Sequence, residues 1–148
     1  MKHPYLKAYM AGTCMPTMVM IVPLIVVIEL RIALVIAAPI EQAAILPMAL
    51  VPAAFGLWNM LYVKLHGKHP DWKIGVHGAL LPLMLVPLVG VCLVGLGLLR
   101  VIQGGLLWFE QIAIPYSFLV PWLALVMAVY YLVWRYLVNW LNGVLFDV

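Results

Sequence analysis

The residues best equipped for chemistry in this chain are few and far apart. Ile28-Glu29-Leu30-Arg31-Ile32 sets a carboxylate and a guanidinium two positions apart in an apolar run, so on a helix they point to different faces. A carboxylate inside a membrane span is costly unless it is paired or serves an ion path. Arg31 can reach the headgroups, and Arg100, at the end of another apolar run, is the natural partner for Glu29. A structural ion pair is the reading taken here. His77, in "KIGVHGALLP", carries an imidazole, a group whose ordinary titration lies near neutrality, and is a candidate proton carrier or heme or metal ligand. No other histidine falls within a span, so a bis-histidine heme lacks its second ligand, and a hydrogen-bonded structural histidine is expected.

Three further groups complete the inventory. His66 and His69 stand in "HGKHPD" with Asp71, a spacing that can hold a transition metal, yet no cysteine lies there and Lys64, Lys68 and Lys73 are close. That loop reads as solvated and attracted to anionic headgroups, with no metal site. Asn59, beside Trp58, is placed to hydrogen-bond across a helix interface. Cys14 and Cys92 form no CxxC and fall toward opposite membrane faces, too distant for a disulfide. Phosphate loops, nucleophile elbows, paired carboxylates and nucleic-acid surfaces have no counterpart, and no cofactor is expected.

The elements that must carry these residues follow from composition. Of 148 residues, 68% are hydrophobic and 9% charged, with a mean hydropathy of +1.16 and a formal charge of +3. A small soluble core cannot hide so much apolar surface, so the chain is expected to be an all-α integral membrane protein. Lys2 and Lys7 precede an apolar run much longer than a signal peptide's, with no small-x-small site, and "AGTC" up to Cys14 only loosely resembles a lipoprotein box.

A span needs about 20 apolar residues, which gives four: about 10–36, 43–65, 75–99 and 115–138. Joined by short loops they make an up-down four-helix bundle in one domain, 1–148. Lys2, Lys7, Lys64, Lys68, Lys73 and Arg135 collect on one side, against Arg31 and Arg100 with Glu29, Glu41 and Glu110 on the other. By the positive-inside rule both termini and the middle loop are cytoplasmic. Trp58, Tyr62 and Trp72, with Tyr130, Tyr131, Trp134, Tyr136 and Trp140, read as anchors on that side; Trp108, Tyr116 and Trp122 mark the other. The segment 104–114 is too short to cross and is expected to lie in the outer interface.

Each span carries an aliphatic-Val-Pro tripeptide ending at Pro23, Pro52, Pro87 or Pro121, preceded five to seven residues earlier by Pro16, Pro47, Pro82 or Pro115. Proline deletes a helix hydrogen bond and kinks the axis, so the helices are expected to be proline-kinked. The carbonyls of Val19, Met48, Leu83 and Ser117 lose their partners and must find others inside the protein. Either they line a polar path or the prolines merely curve tightly packed helices; with Leu, Val, Met and Ala around them, the second reading is taken. "LPMALVP" (46–52) and "LPLMLVP" (81–87) are alike, but their flanks are not, which argues against duplication.

Small residues four apart, Ala49 with Ala53, Ala124 with Ala128 and Gly75 with Ala79, together with Gly90 and Gly97, offer close-packing faces. The expected function is therefore non-catalytic: a self-associating protein or an accessory subunit of a membrane assembly. Its partners are membrane lipids and a second copy or another membrane subunit, with no nucleic acid, in a bacterial inner membrane. An oligomeric channel or transporter using Glu29 and His77 is the alternative, and a lipid- or quinone-directed enzyme the third.

Overall fold

The computed structural model describes residues 3–34, 40–67, 71, 73–110 and 112–146. Among these the order is α1 (Pro4–Val19), α2 (Ile21–Leu34), α3 (Ile40–His66), α4 (Ile74–Gly95), β1 (Leu99–Ile102), β2 (Gly105–Trp108), β3 (Ile112–Pro115) and α5 (Tyr116–Leu132). A π-helical turn, Val133–Val138, then leads into α6 (Asn139–Phe146). The protein is mostly helical, and among the described residues three stretches, Pro4–Val26, Ile74–Gly95 and Tyr116–Leu145, are long and apolar enough to cross a membrane.

The first expected span is broken where the prolines require it. Pro4 opens α1 at a position where its missing N–H costs nothing. Pro23 cannot donate to the carbonyl of Val19, and α1 ends at Val19, with α2 restarting at Ile21. Met20 bridges the break, its N–H bonded to the Pro16 carbonyl at 2.9 Å. Two threonines bond back onto the last turns of α1, a contact that tends to bend a helix: Thr13 Oγ1 donates to the Tyr9 and Met10 carbonyls, and Thr17 Oγ1 to those of Thr13 and Cys14. Pro82 and Pro87 lie within α4 and Pro121 within α5 without ending them.

The expectation of an all-α chain needs correction between α4 and α5. Helix α4 stops at Gly95, short of the expected 99, in a Schellman arrangement: Gly97 has φ 71°, its N–H bonds the Val94 carbonyl at 3.0 Å, and Leu98 N–H bonds that of Leu93 at 2.9 Å. The segment expected in the outer interface, with no strands expected there, forms with the residues before it a three-stranded antiparallel sheet, ordered β1-β2-β3. Leu99 pairs with Trp108 and Ile102 with Gly105, while Trp108 pairs with Ile112 and Gly105 with Pro115. Gln103-Gly104 makes the first two-residue turn, with Gly104 at φ 90°. Gly105 has no alternative either, since a Cβ there would run into the Ile114 carbonyl oxygen. Near a membrane the sheet satisfies its backbone groups by strand pairing, which a short irregular segment cannot do.

Among the described residues, packing concentrates at one end of the molecule. Helices α1 and α3 cross with their backbones nearly touching: a Cβ on Gly12 would lie 2.9 Å from the Gly56 Cα, and one on Gly56 2.6 Å from the Tyr9 ring. Val51, Phe55, Ile74, Leu81, Leu85, Trp134 and Val138 form the main core, joining α3, α4 and the π turn. Helix α5 has no buried residue.

Candidate functional site: an interhelical seam of buried polar and aromatic side chains

The positions that face the core on α3 are Val51, Phe55, Trp58, Asn59 and Tyr62, a helical spacing that sets them on one stripe. On α4 the matching stripe is Ile74, Gly75, His77, Gly78, Leu81 and Leu85, all buried. Where the two stripes meet, small residues decide what can approach. Gly78 lets the Trp134 indole lie directly on the α4 backbone, since a Cβ there would overlap the ring, and a Cβ on Gly75 would come within 2.8 Å of the Tyr131 ring. The π turn carries Trp134 and Val138, both at 0% exposure, into the space the glycines leave.

Two polar clasps tie this seam together. In the first, Trp58 Nε1 donates to the His77 carbonyl at 2.8 Å, and His77 Nε2 meets the Trp58 carbonyl at 3.0 Å. A carbonyl oxygen only accepts, so Nε2 carries the proton in this arrangement. The imidazole, 2% exposed, stacks on the Trp58 ring at 4.8 Å and 23°, and presents itself edge-on to Trp134 at 5.8 Å. Tyr62 closes a third side at 5.4 Å.

In the second clasp the amides of Asn59 and Asn142 exchange hydrogen bonds, Asn59 Nδ2 to Asn142 Oδ1 at 2.8 Å and Asn142 Nδ2 to Asn59 Oδ1 at 3.1 Å. Asn59 Nδ2 also donates to the Ala8 carbonyl at 2.8 Å, so one side chain binds α3 to both α1 and α6. Lys7 adds a charged bond from Nζ to the Leu145 carbonyl at 2.8 Å, again joining α1 to α6. Buried polar groups are costly when unpaired, and reciprocal pairing of this kind fixes register between helices. The one loose end in the seam is the indole Nε1 of Trp134, buried with no hydrogen-bond partner.

The structure thus gathers two of the expected site residues, His77 and Asn59, and leaves the others elsewhere. Glu29 is exposed on α2 and Arg100 is exposed on β1, with no contact between them among the described residues. Arg31 lies within α2. His66 is exposed at the end of α3, stacked on Tyr62 with its Nδ1 3.4 Å from the tyrosine hydroxyl. His69 lies outside the described residues, as do Lys2, Lys68 and Trp72. Among the described residues no three His, Cys, Asp or Glu side chains stand together as a metal site would require. Of the inner prolines Pro52 is buried, whereas Pro87 and Pro121 are exposed, so their rings face different surroundings. Leu83 and Ser117, whose carbonyls they release, are exposed as well.

Sequence reasoning missed Asn142, the hydrogen-bonding task of Trp58 and the core position of Trp134. Asn142 stands in "NWLNG", beyond the expected end of the last span, and its signal is the helical pattern running on past 138 through Trp140 and Leu141. Trp134, expected as an interfacial anchor, is a fully buried core ring, and half-buried Trp58 forms one side of a hydrogen-bonding clasp. Comparison of the chain with protein families, with curated proteins and with solved structures gives no match in any of the three.

Proposed function

We propose that the chain is a four-pass membrane protein that works by association, with copies of itself or as a subunit of a larger membrane assembly, and performs no catalysis of its own. The observation behind this reading is how the chain's polar groups are used. His77, Asn59, Asn142 and Trp58 are spent on holding α1, α3, α4 and α6 together, while the apolar surface of α5 and the far half of α4 is left uncovered. Val91 is 72% exposed, Val120 74% and Leu125 63%. In a bilayer such surface meets lipid or another apolar helix at no cost, and helices associate there by packing and not by the hydrophobic effect.

In this reading both termini and the loop around Gly67 and Asp71 face the cytoplasm, with the basic end of the bundle inside, in a bacterial inner membrane. Membrane lipids and a like or unlike membrane subunit are the partners. Native mass spectrometry of the protein released from its own membranes in mild detergent tests the proposal. A defined multiple of the chain mass, or a stable complex with a second polypeptide, supports it. A single copy that carries ion flux or turns over a lipid or quinone in liposomes replaces it.

A further inference from the structure

At the end of α3 that carries Lys64 and His66, a shallow groove of about 370 Å3 runs between the start of α1 and the outward face of α3. Tyr5, Leu57, Met60, Leu61 and Lys64 line it. Leu57, Leu61 and Lys64 recur at helical spacing and so form one ridge, with Leu57 60% and Leu61 38% exposed. From Lys64 back to Leu57 the helix advances about 10 Å, so the groove is cationic and phenolic at one end and wholly apolar at the other. A phospholipid standing at a membrane surface has the same polarity gradient over the same distance.

We propose that this groove binds one anionic phospholipid, its phosphate beside Lys64 Nζ and an acyl chain laid along Leu61, Met60 and Leu57. Charge complementarity selects the anionic class. Lys64 makes no ion pair among the described residues, and Lys73 and Arg135 are exposed, as is Lys64 itself. Lys7, by contrast, has its ammonium committed to the Leu145 carbonyl. Tyr5, 48% exposed at the groove wall, supplies an amphipathic ring suited to headgroup depth. The inference rests on the reading that α3 crosses the membrane with Lys64 at its surface.

A basic residue near a membrane surface contributes about 1 kcal/mol toward an anionic lipid, which is about fivefold in affinity. Titrating the full chain in detergent with phosphatidylglycerol and with phosphatidylcholine of matched acyl chains, read by native mass spectrometry, tests the site. The first phosphatidylglycerol is expected to bind about fivefold tighter than phosphatidylcholine, by the same reckoning. Lys64→Gln should abolish that preference while leaving phosphatidylcholine binding in place, and Leu61→Trp, which fills the groove, should weaken both lipids. Equal binding of the two lipids by the unmodified chain, or variants that titrate as it does, overturns the proposal. Lipid adducts and chain copies are separate mass increments, so failure of this site and failure of the association reading are told apart in one spectrum.

Discussion

The two ends of this bundle solve the same problem in opposite ways. At the end built from α1, the last turns of α3, the first turns of α4 and the π turn, helices are held by glycine-lined contacts and reciprocal hydrogen bonds between buried side chains. At the other end, among the described residues, Pro87 and Pro121 and large apolar side chains of α2, the last turns of α4 and the first turns of α5 face outward, and a small sheet closes the loop. The first end specifies one arrangement, because a polar group in a low-dielectric interior must find its designated partner. The second end has apolar surfaces that fit lipid or a neighbouring helix equally well. Among the described residues, internal order therefore resides in the seam, and in the association reading proposed above the outward-facing apolar half is the part that would meet partners.

The largest expected effect comes from paired glycine substitutions. Gly78→Val puts a methyl-bearing carbon into the space of the Trp134 indole, whereas Gly90→Val meets nothing within 4 Å. Overpacking of a full core costs about 1–3 kcal/mol and sometimes more. Gly78→Val should therefore lower the midpoint of SDS-induced unfolding sharply, and Gly90→Val should leave it unchanged while altering the copy number if that face joins protomers. Equal losses for the two would erase the contrast between the ends.

Next comes the amide pair. Asn59→Leu strands the Asn142 amide and removes the second bond to the Ala8 carbonyl, which keeps its helical partner, and Asn142→Leu strands Asn59 in part. Interhelical polar contacts in membranes contribute about 0.6–2 kcal/mol, and a double-mutant cycle should return a coupling energy in that range. The Asn59 single variant should lose more than the Asn142 variant, because it also gives up the bond to α1. Additivity within error would mean that the amide exchange does not hold α6.

His77→Phe should have a smaller effect. Phenylalanine preserves a ring between Trp58, Tyr62 and Trp134 but loses the bond to the Trp58 carbonyl, while the Trp58 indole keeps its bond to the backbone carbonyl at position 77. One net hydrogen bond corresponds to about 1 kcal/mol. The quantity to follow is again the SDS unfolding midpoint, with Trp fluorescence reporting whether the stack survives.

How much of this was legible beforehand depends on whether local pattern or distant geometry decides. The mostly helical class and the presence of helices long and apolar enough to cross a membrane follow from composition, and a disturbance of the first helix near Pro23 follows from the chemistry of proline, though as an expected kink rather than the break at Met20; both signals are local. Asn59 and His77 stood out because polar residues in apolar runs need partners. Their partners did not, since Asn142 is 83 residues away from Asn59 and Trp58 is 19 from His77. The sheet was hidden for a different reason. "RVIQGGLLW" does carry β-branched residues and a Gly-containing turn, but four-residue strands beside long apolar spans leave too little alternation to read. Gly97 and Gly104, both at positive φ, were the available signals for where helix ends and hairpin begins.

The smallest expected effect is that of Glu29→Gln, and it sharpens the comparison from the other side. Glu29 sits on α2 in the splayed half, exposed, with Ile28 and Ile32 exposed around it. Exposed carboxylates without a fixed partner contribute little to folding, in contrast to the buried clasps. The variant should unfold at the midpoint of the unmodified protein and keep its copy number. Liposomes holding either form should show the same proton and ion leak. A loss of flux with the fold intact would move the functional weight from association through the apolar half to an ion path through α2. In that case the carboxylate would have to be covered by a partner helix, because a charge facing hydrocarbon is not otherwise sustained.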